Sequence, residues 1–171
     1  MELDVDEKLL LDLLNTTPVH DGRPSDLLAD RDDGLRWLAG HGQPASAEEW
    51  RAARDARAVL QDVVRGDAPP AALARFVEGV LRLASLGEEG IEWTPRLPEG
   101  RVAAARAVLT WDALRVSGPG RLRACANDEC RLFLIDHSRP NNARWCSMAG
   151  CGNRMKARRH YQRTRQARTD G

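Results

Sequence analysis

The sequence predicts a mainly α-helical fold with a short β element, arranged as a helical N-terminal domain and a small cysteine-bearing module. Three observations predict it. Apolar residues recur at helical spacing through most of residues 6 to 116. Ser117-Gly118-Pro119-Gly120 is the clearest break in the chain. All four cysteines lie beyond that break, within 27 residues of one another. The expected boundaries are 1–116 for the helical domain, 117–120 for the linker and 121–171 for the module. A length of 171 residues suits one ordinary domain plus such a module, and 42% hydrophobic residues supply a core.

The elements follow in order. Residues 6 to 14 read as a helix with Leu10, Leu13 and Leu14 on one face, ended by Asn15-Thr16-Thr17-Pro18. Asn15 reads as its C-terminal cap. Val19 to Ser25 is polar and reads as loop. Asp33 to Ala39 carries Leu35, Trp37 and Leu38 and is closed by Gly40-His41-Gly42. The next helix has the strongest local signals. Ser46 with Glu49 makes a capping box, Trp50, Ala53, Leu60 and Val64 keep helical spacing, and Gly66 suits the C-terminal cap.

Pro69-Pro70 fits a helix first turn, after which Leu73, Phe76, Val77, Val80 and Ala84 extend a helical pattern. Ile91 to Thr94 reads as a short strand. A last helix is expected from about Pro98 to Val116, with Val102, Ala105, Leu109 and Ala113 on one side.

Cys125 and Cys130 are separated by four residues, fifteen more lead to Cys146, and four separate it from Cys151. Two close pairs joined by a longer stretch match the layout of a four-thiolate zinc site. Two disulfides are the alternative, and clustered cysteines in a chain with its own core favour the metal. Four thiolates complete a tetrahedron, so one structural Zn2+ is expected. His137 reads as a loop residue, not a replacement ligand. Leu132 to Ile135, a turn-rich stretch and Ala143-Arg144-Trp145 read as a β-hairpin, and a basic helix follows Cys151. Knuckle, hairpin and helix make a treble-clef-like order.

Arg144-Trp145, Cys146 to Cys151 and Gly152-Asn153-Arg154 together resemble the signature of the CGNR zinc-finger family. Cys125 to Cys130, Phe133 and Asp136-His137-Ser138 are similar to the first half of that finger. The resemblance implies an N-terminal ABATE domain, described as a stress-induced transcription regulator. Leu13-Leu14-Asn15-Thr16 is similar to the Asn-Thr motif that opens that domain.

Net charge is +1, but it is unevenly spread. Residues 121 to 171 hold 12 Arg or Lys against four Asp or Glu, whereas the rest of the chain is acidic on balance. This asymmetry points to a polyanion partner, with nucleic acid expected and DNA before RNA. Arg144, Asn153, Arg154, Lys156, Arg158, Arg159, Arg163 and Arg165 are the candidate contacts. The arginines suit phosphates or guanine edges, while Asn153, Gln162 and Gln166 suit adenine. Tyr161 is expected to cover the metal module, and Trp145 to pack beneath its hairpin.

Residues 1 to 120 contain no nucleophile elbow, phosphate loop or metal-binding His pair, so no enzyme is expected. The acidic N-terminus lacks the basic start of a signal peptide, and no stretch suits a membrane span, which predicts a cytoplasmic protein. The expected function is a DNA-binding transcription regulator whose N-terminal domain senses a small-molecule effector or forms a homodimer. A zinc-stapled RNA- or ribosome-associated factor, and a protein-interaction module, are the alternatives.

Overall fold

The structure is a computed structural model that describes residues 4–20 and 22–169, with the side chains of 20 and 166–169 outside the description. Helix α1 (Val5–Leu14) is followed by a two-residue ribbon, β1 (Val19–His20) with β2 (Arg23–Pro24), where a plain loop was expected. Helices α2 (Arg31–Gly40) and α3 (Ala47–Arg65) come next. The ends of α3 are set by its sequence signals: the Ser46 hydroxyl accepts the Glu49 N–H at 3.1 Å, and Gly66 turns left-handed at φ 88°.

The expected helix through Ala84 stops early. A 3-10 turn (Pro70–Leu73) runs into the short α4 (Ala74–Val77), and Gly79 at φ 76° then redirects the chain. Strand β3 (Leu81–Gly87) pairs antiparallel with β4 (Gly90–Arg96) across a two-residue turn. Leu73, Phe76 and Val77 pack on the core as their spacing implies, but Ala84 lies on an exposed strand. The strand read at Ile91 to Thr94 is the centre of β4.

Helix α5 (Val102–Ser117) is the axis of the core and packs on α1, α3 and α4. Its buried residues are Ala103, Ala104, Ala105, Ala107, Val108, Thr110, Trp111 and Leu114. The face expected from spacing is therefore only partly right, since Leu109 and Ala113 face outward. An alanine-rich helix wedged between neighbours has no single apolar stripe for periodicity to find.

Two buried polar contacts lock the helices together. The Glu49 carboxylate of α3 accepts the N–H groups of Val102 at 2.8 Å and Ala103 at 3.2 Å, capping the first turn of α5. Arg57 of α3 bonds Asp26 at 2.5 and 2.8 Å and the Thr16 hydroxyl at 2.9 Å, pinning the loop after α1. Gly34 serves space: a Cβ there would come within 2.2 Å of the Trp50 ring, so it lets α2 approach α3.

Strands β5 (Leu122–Ala124) and β6 (Phe133–Ile135) open the C-terminal module, followed by a π-helical turn (Met148–Gly152) and α6 (Asn153–Thr169). The Ser117–Gly120 break is short, and the module sits directly on the helices. Glu49→Ala leaves two buried N–H groups unpartnered and is expected to cost about 2–3 kcal/mol of stability in denaturant unfolding. Glu49→Gln, which keeps an acceptor, should cost less.

Candidate metal centre

The knuckle begins where β5 ends. Cys125 N–H donates to Leu132 O and Cys130 N–H to Asn127 O, both at 2.8 Å, folding residues 125–132 back on themselves. The hairpin of this module is β5 with β6, flanking the knuckle, and not the expected pairing of 132–135 with 143–145. Residues 143–145 cross the knuckle instead: Ala126 N–H donates to Arg144 O at 2.8 Å. Asp136 fixes this crossing by accepting Ser138 N–H at 2.9 Å and Ala143 N–H at 2.7 Å. Bonds from Ser138 and Ala143, with Arg123 nearby, hold its carboxyl down to about 2. Its stabilising effect is therefore complete above the ordinary carboxylate range and is lost progressively as pH falls from there through about 2.

The sulfurs of Cys125, Cys130, Cys146 and Cys151 all lie within 4.8 Å of one another, and all four cysteines are free. Cys146 Sγ is 3.8 Å from Cys130 Sγ and 3.7 Å from Cys151 Sγ. A disulfide needs about 2.05 Å. A tetrahedron of thiolates at about 2.3 Å from zinc sets the sulfurs roughly 3.8 Å apart. The cluster fits a four-coordinate ion of that size, and its geometry is consistent with a metal-binding site.

Burial pushes the Cys130 thiol up to about 11. Burial and the neighbouring sulfurs push Cys146 further in the same direction. At Cys151 burial also acts upward, but hydrogen bonds from Asn127 and the other cysteines outweigh it and leave the thiol below its ordinary value. Four sulfurs this close resist ionising together; a divalent cation removes that penalty.

A second layer of donors surrounds the sulfurs. Leu132 N–H points at Cys130 Sγ, Cys146 N–H at Cys125 Sγ and the Asn127 amide at Cys151 Sγ, each at 3.4 Å. Asn127 is fully buried and was given no role from sequence. Its place two residues after Cys125 is the only signal. Gly152 is also a matter of space: a Cβ would meet Met148 Sδ at 2.8 Å and Trp145 Cδ1 at 3.3 Å. Trp145 is half-buried there, with the Arg144 guanidinium 5.2 Å from its ring centre.

The module docks through its hairpin. Phe133 is buried among the core residues of the helical domain, with the Arg65 guanidinium 4.6 Å from its ring centre. Asn15 caps α1 through its backbone, as expected, but its side chain grips the module. Its oxygen accepts Phe133 N–H at 2.7 Å and its amide donates to Phe133 O at 3.2 Å. His137 is no ligand: its Nε2 lies 2.8 Å from the Glu7 carboxylate of α1. His41, in the turn after α2, has Asp12 at 3.0 Å from Nε2 and Trp37 O at 2.8 Å from Nδ1.

Residues 7–132 match the ABATE family, described as "Putative stress-induced transcription regulator". The chain belongs to the ABATE family. In this ABATE protein residues 121–164 also match the CGNR zinc finger, so the two matches overlap across β5 and the knuckle. No curated protein matches the chain.

The remaining candidate residues lie on or near α6. Asn153, Arg154, Lys156, Arg158, Arg159, Arg163 and Arg165 are exposed, as is Arg144. Arg158 pairs with Glu129 of the knuckle at 3.1 Å. Lys156, Arg159, Gln162 and Arg163 line one shallow concavity. Tyr161 is 65% exposed and does not cover the metal module. The Gln166 side chain lies outside the described residues. Asn127→Ala removes the donor to Cys151 and is expected to weaken metal binding about 10- to 100-fold, measured by chelator competition.

Proposed function

We propose that this ABATE protein is a cytoplasmic, zinc-bound transcription regulator in which α6 contacts DNA and the helical domain carries the regulatory input. One observation carries this reading. Helix α6 is exposed from Asn153 to Arg165 except for the half-buried Met155, and its main packing partner among the described residues is the π-helical turn before it. A helix so loaded with cations gains little from burial and much from phosphate, where counterion release drives association. The concavity lined by Lys156, Arg159, Gln162 and Arg163, about 380 Å³, gives a phosphate several donors at once. The family description points the same way.

Zinc is the ion this site suits. Thiolate donors and a closed tetrahedral set favour it over oxygen-seeking cations, and four sulfurs leave no position for substrate. One zinc per chain is expected in freshly reduced protein, and Cys146→Ser should lose it. The helical domain is joined to the finger by Asn15 with Phe133 and Glu7 with His137. These contacts support a route by which an effector acts on the finger.

Four to six phosphate contacts predict a slope of about −4 to −5 in log K against log salt, measured by fluorescence anisotropy on duplex DNA. Arg159→Ala with Arg163→Ala should flatten that slope by about 2 if both touch phosphate. Zinc content and helicity should be unchanged, because both side chains are exposed. Unaltered binding by the double variant would contradict the reading. Tighter binding to RNA than to duplex DNA would reassign the partner.

A further inference from the structure

The four cysteines of the cluster are not equivalent. Cys125 and Cys151 are each only 7% exposed, whereas Cys130 and Cys146 are half-buried. The residues that follow Cys146, from Ser147 to Gly150, are all exposed, so solvent reaches the cluster from this side.

Hydrogen bonding separates them further. The sulfurs of Cys125, Cys130 and Cys151 each receive one N–H, from Cys146, Leu132 and Asn127 respectively. Among the described residues Cys146 Sγ receives none, and its neighbours are the sulfurs of Cys130 and Cys151. An N–H aimed at a thiolate withdraws charge from it and lowers its reactivity towards electrophiles. A metal-bound thiolate with no such donor keeps that charge and stays nucleophilic. Openness and the missing donor coincide at Cys146 alone, since Cys130 is as open but receives the Leu132 N–H.

We propose that Cys146 is the site at which a peroxide oxidises this protein, and that Cys130 resolves the product as a disulfide. The inference rests on the zinc-loaded cluster of the preceding subsection. The Cys146 thiolate attacks one oxygen of hydrogen peroxide: the S–O bond forms as the O–O bond breaks, and hydroxide leaves. The Cys130 thiolate, its sulfur 3.8 Å away, then attacks the sulfenic sulfur. The S–S bond forms, the S–O bond breaks and a second hydroxide leaves. Two electrons have passed from two thiolates to the peroxide, which balances the step with no further reactant. The Cys151 sulfur is as near, at 3.7 Å, but Cys151 is buried and holds the Asn127 amide, so Cys130 is the resolving partner.

The consequence follows from what these two cysteines hold. A disulfide leaves two thiolates, too few to keep a four-coordinate ion. The Leu132 N–H that bonds Cys130 Sγ lies one residue before Phe133, and α6 begins two residues after Cys151. Oxidation therefore loosens both the seat of the finger in the helical core and the base of α6. Thiol reductant and zinc together restore the starting state.

The test treats the full, zinc-loaded chain with equimolar hydrogen peroxide. Freed zinc is read with a chromogenic chelator too weak to strip the reduced protein. One sample contains dimedone to trap sulfenic acid, a parallel sample does not, and both are mapped by peptide mass spectrometry. The expected results are loss of the ion, the dimedone adduct on Cys146 and, without the trap, a Cys130–Cys146 disulfide. Met148→Leu removes the exposed thioether nearby, a competing oxidation site, and should leave zinc release unchanged. Zinc retained after peroxide overturns the proposal. So does an adduct on another cysteine or spread evenly over the four, a first disulfide between any other pair, or release that Met148→Leu abolishes. A metal assay before peroxide separates the two readings: a reduced chain holding no zinc overturns both, whereas a loaded chain that behaves in any of these ways overturns this one alone.

Discussion

Phe133 belongs to the finger by chain position and to the helical domain by packing. It sits in β6, a few residues after Cys130, yet its ring is among the core residues contributed by α1, α3 and α5. Asn15 receives it as a neighbouring strand would, with one acceptor and one donor for the Phe133 backbone. A buried strand edge needs such partners, because an unpaired N–H there costs about 1–3 kcal/mol. The geometry of β6 is in turn set by the knuckle, which the cysteine cluster closes. The metal site therefore shapes part of the core of its neighbour, and the helical core gives the finger a seat.

That coupling explains which features were legible in the sequence. The cysteine cluster was, because its ligands come as two local pairs whose spacing limits what they can reach. Helix α3 was also, because Ser46 and Gly66 act within one turn of its ends, whereas the Glu49 carboxylate expected to complete a capping box caps α5 instead. The helix drawn through Ala84 failed because Val80 and Ala84 keep helical spacing by coincidence, and Gly79 ends the run. An exposed hairpin gives no buried alternation to correct the error. The hairpin partner of β6 was misplaced for a related reason: β5 lies before the first cysteine, outside the stretch between the pairs.

The roles of Asn15, Asn127 and His137 were hidden more deeply. Each depends on a residue far away in sequence: Phe133 for Asn15, Cys151 for Asn127 and Glu7 for His137. Polar side chains carry no periodicity, so only the fold reveals their partners. The charge split is different in kind. Composition showed it, and the structure gives it a location, with cations along a projecting α6 and the Arg57–Asp26 pair buried in the helical domain. Among the described residues no helix is long and apolar enough to cross a membrane.

Hydrogen–deuterium exchange with and without metal tests the shared core most directly. Removing the ion should release Phe133, so protection should fall in residues 121–152 and also in α1 and in the part of α3 near Arg65. The far ends of the helical domain, α2 and the first turns of α3, should keep their protection. Unchanged exchange throughout α1 and α3 after metal removal would contradict the account, because Phe133 would then be a passenger and not a part of the core.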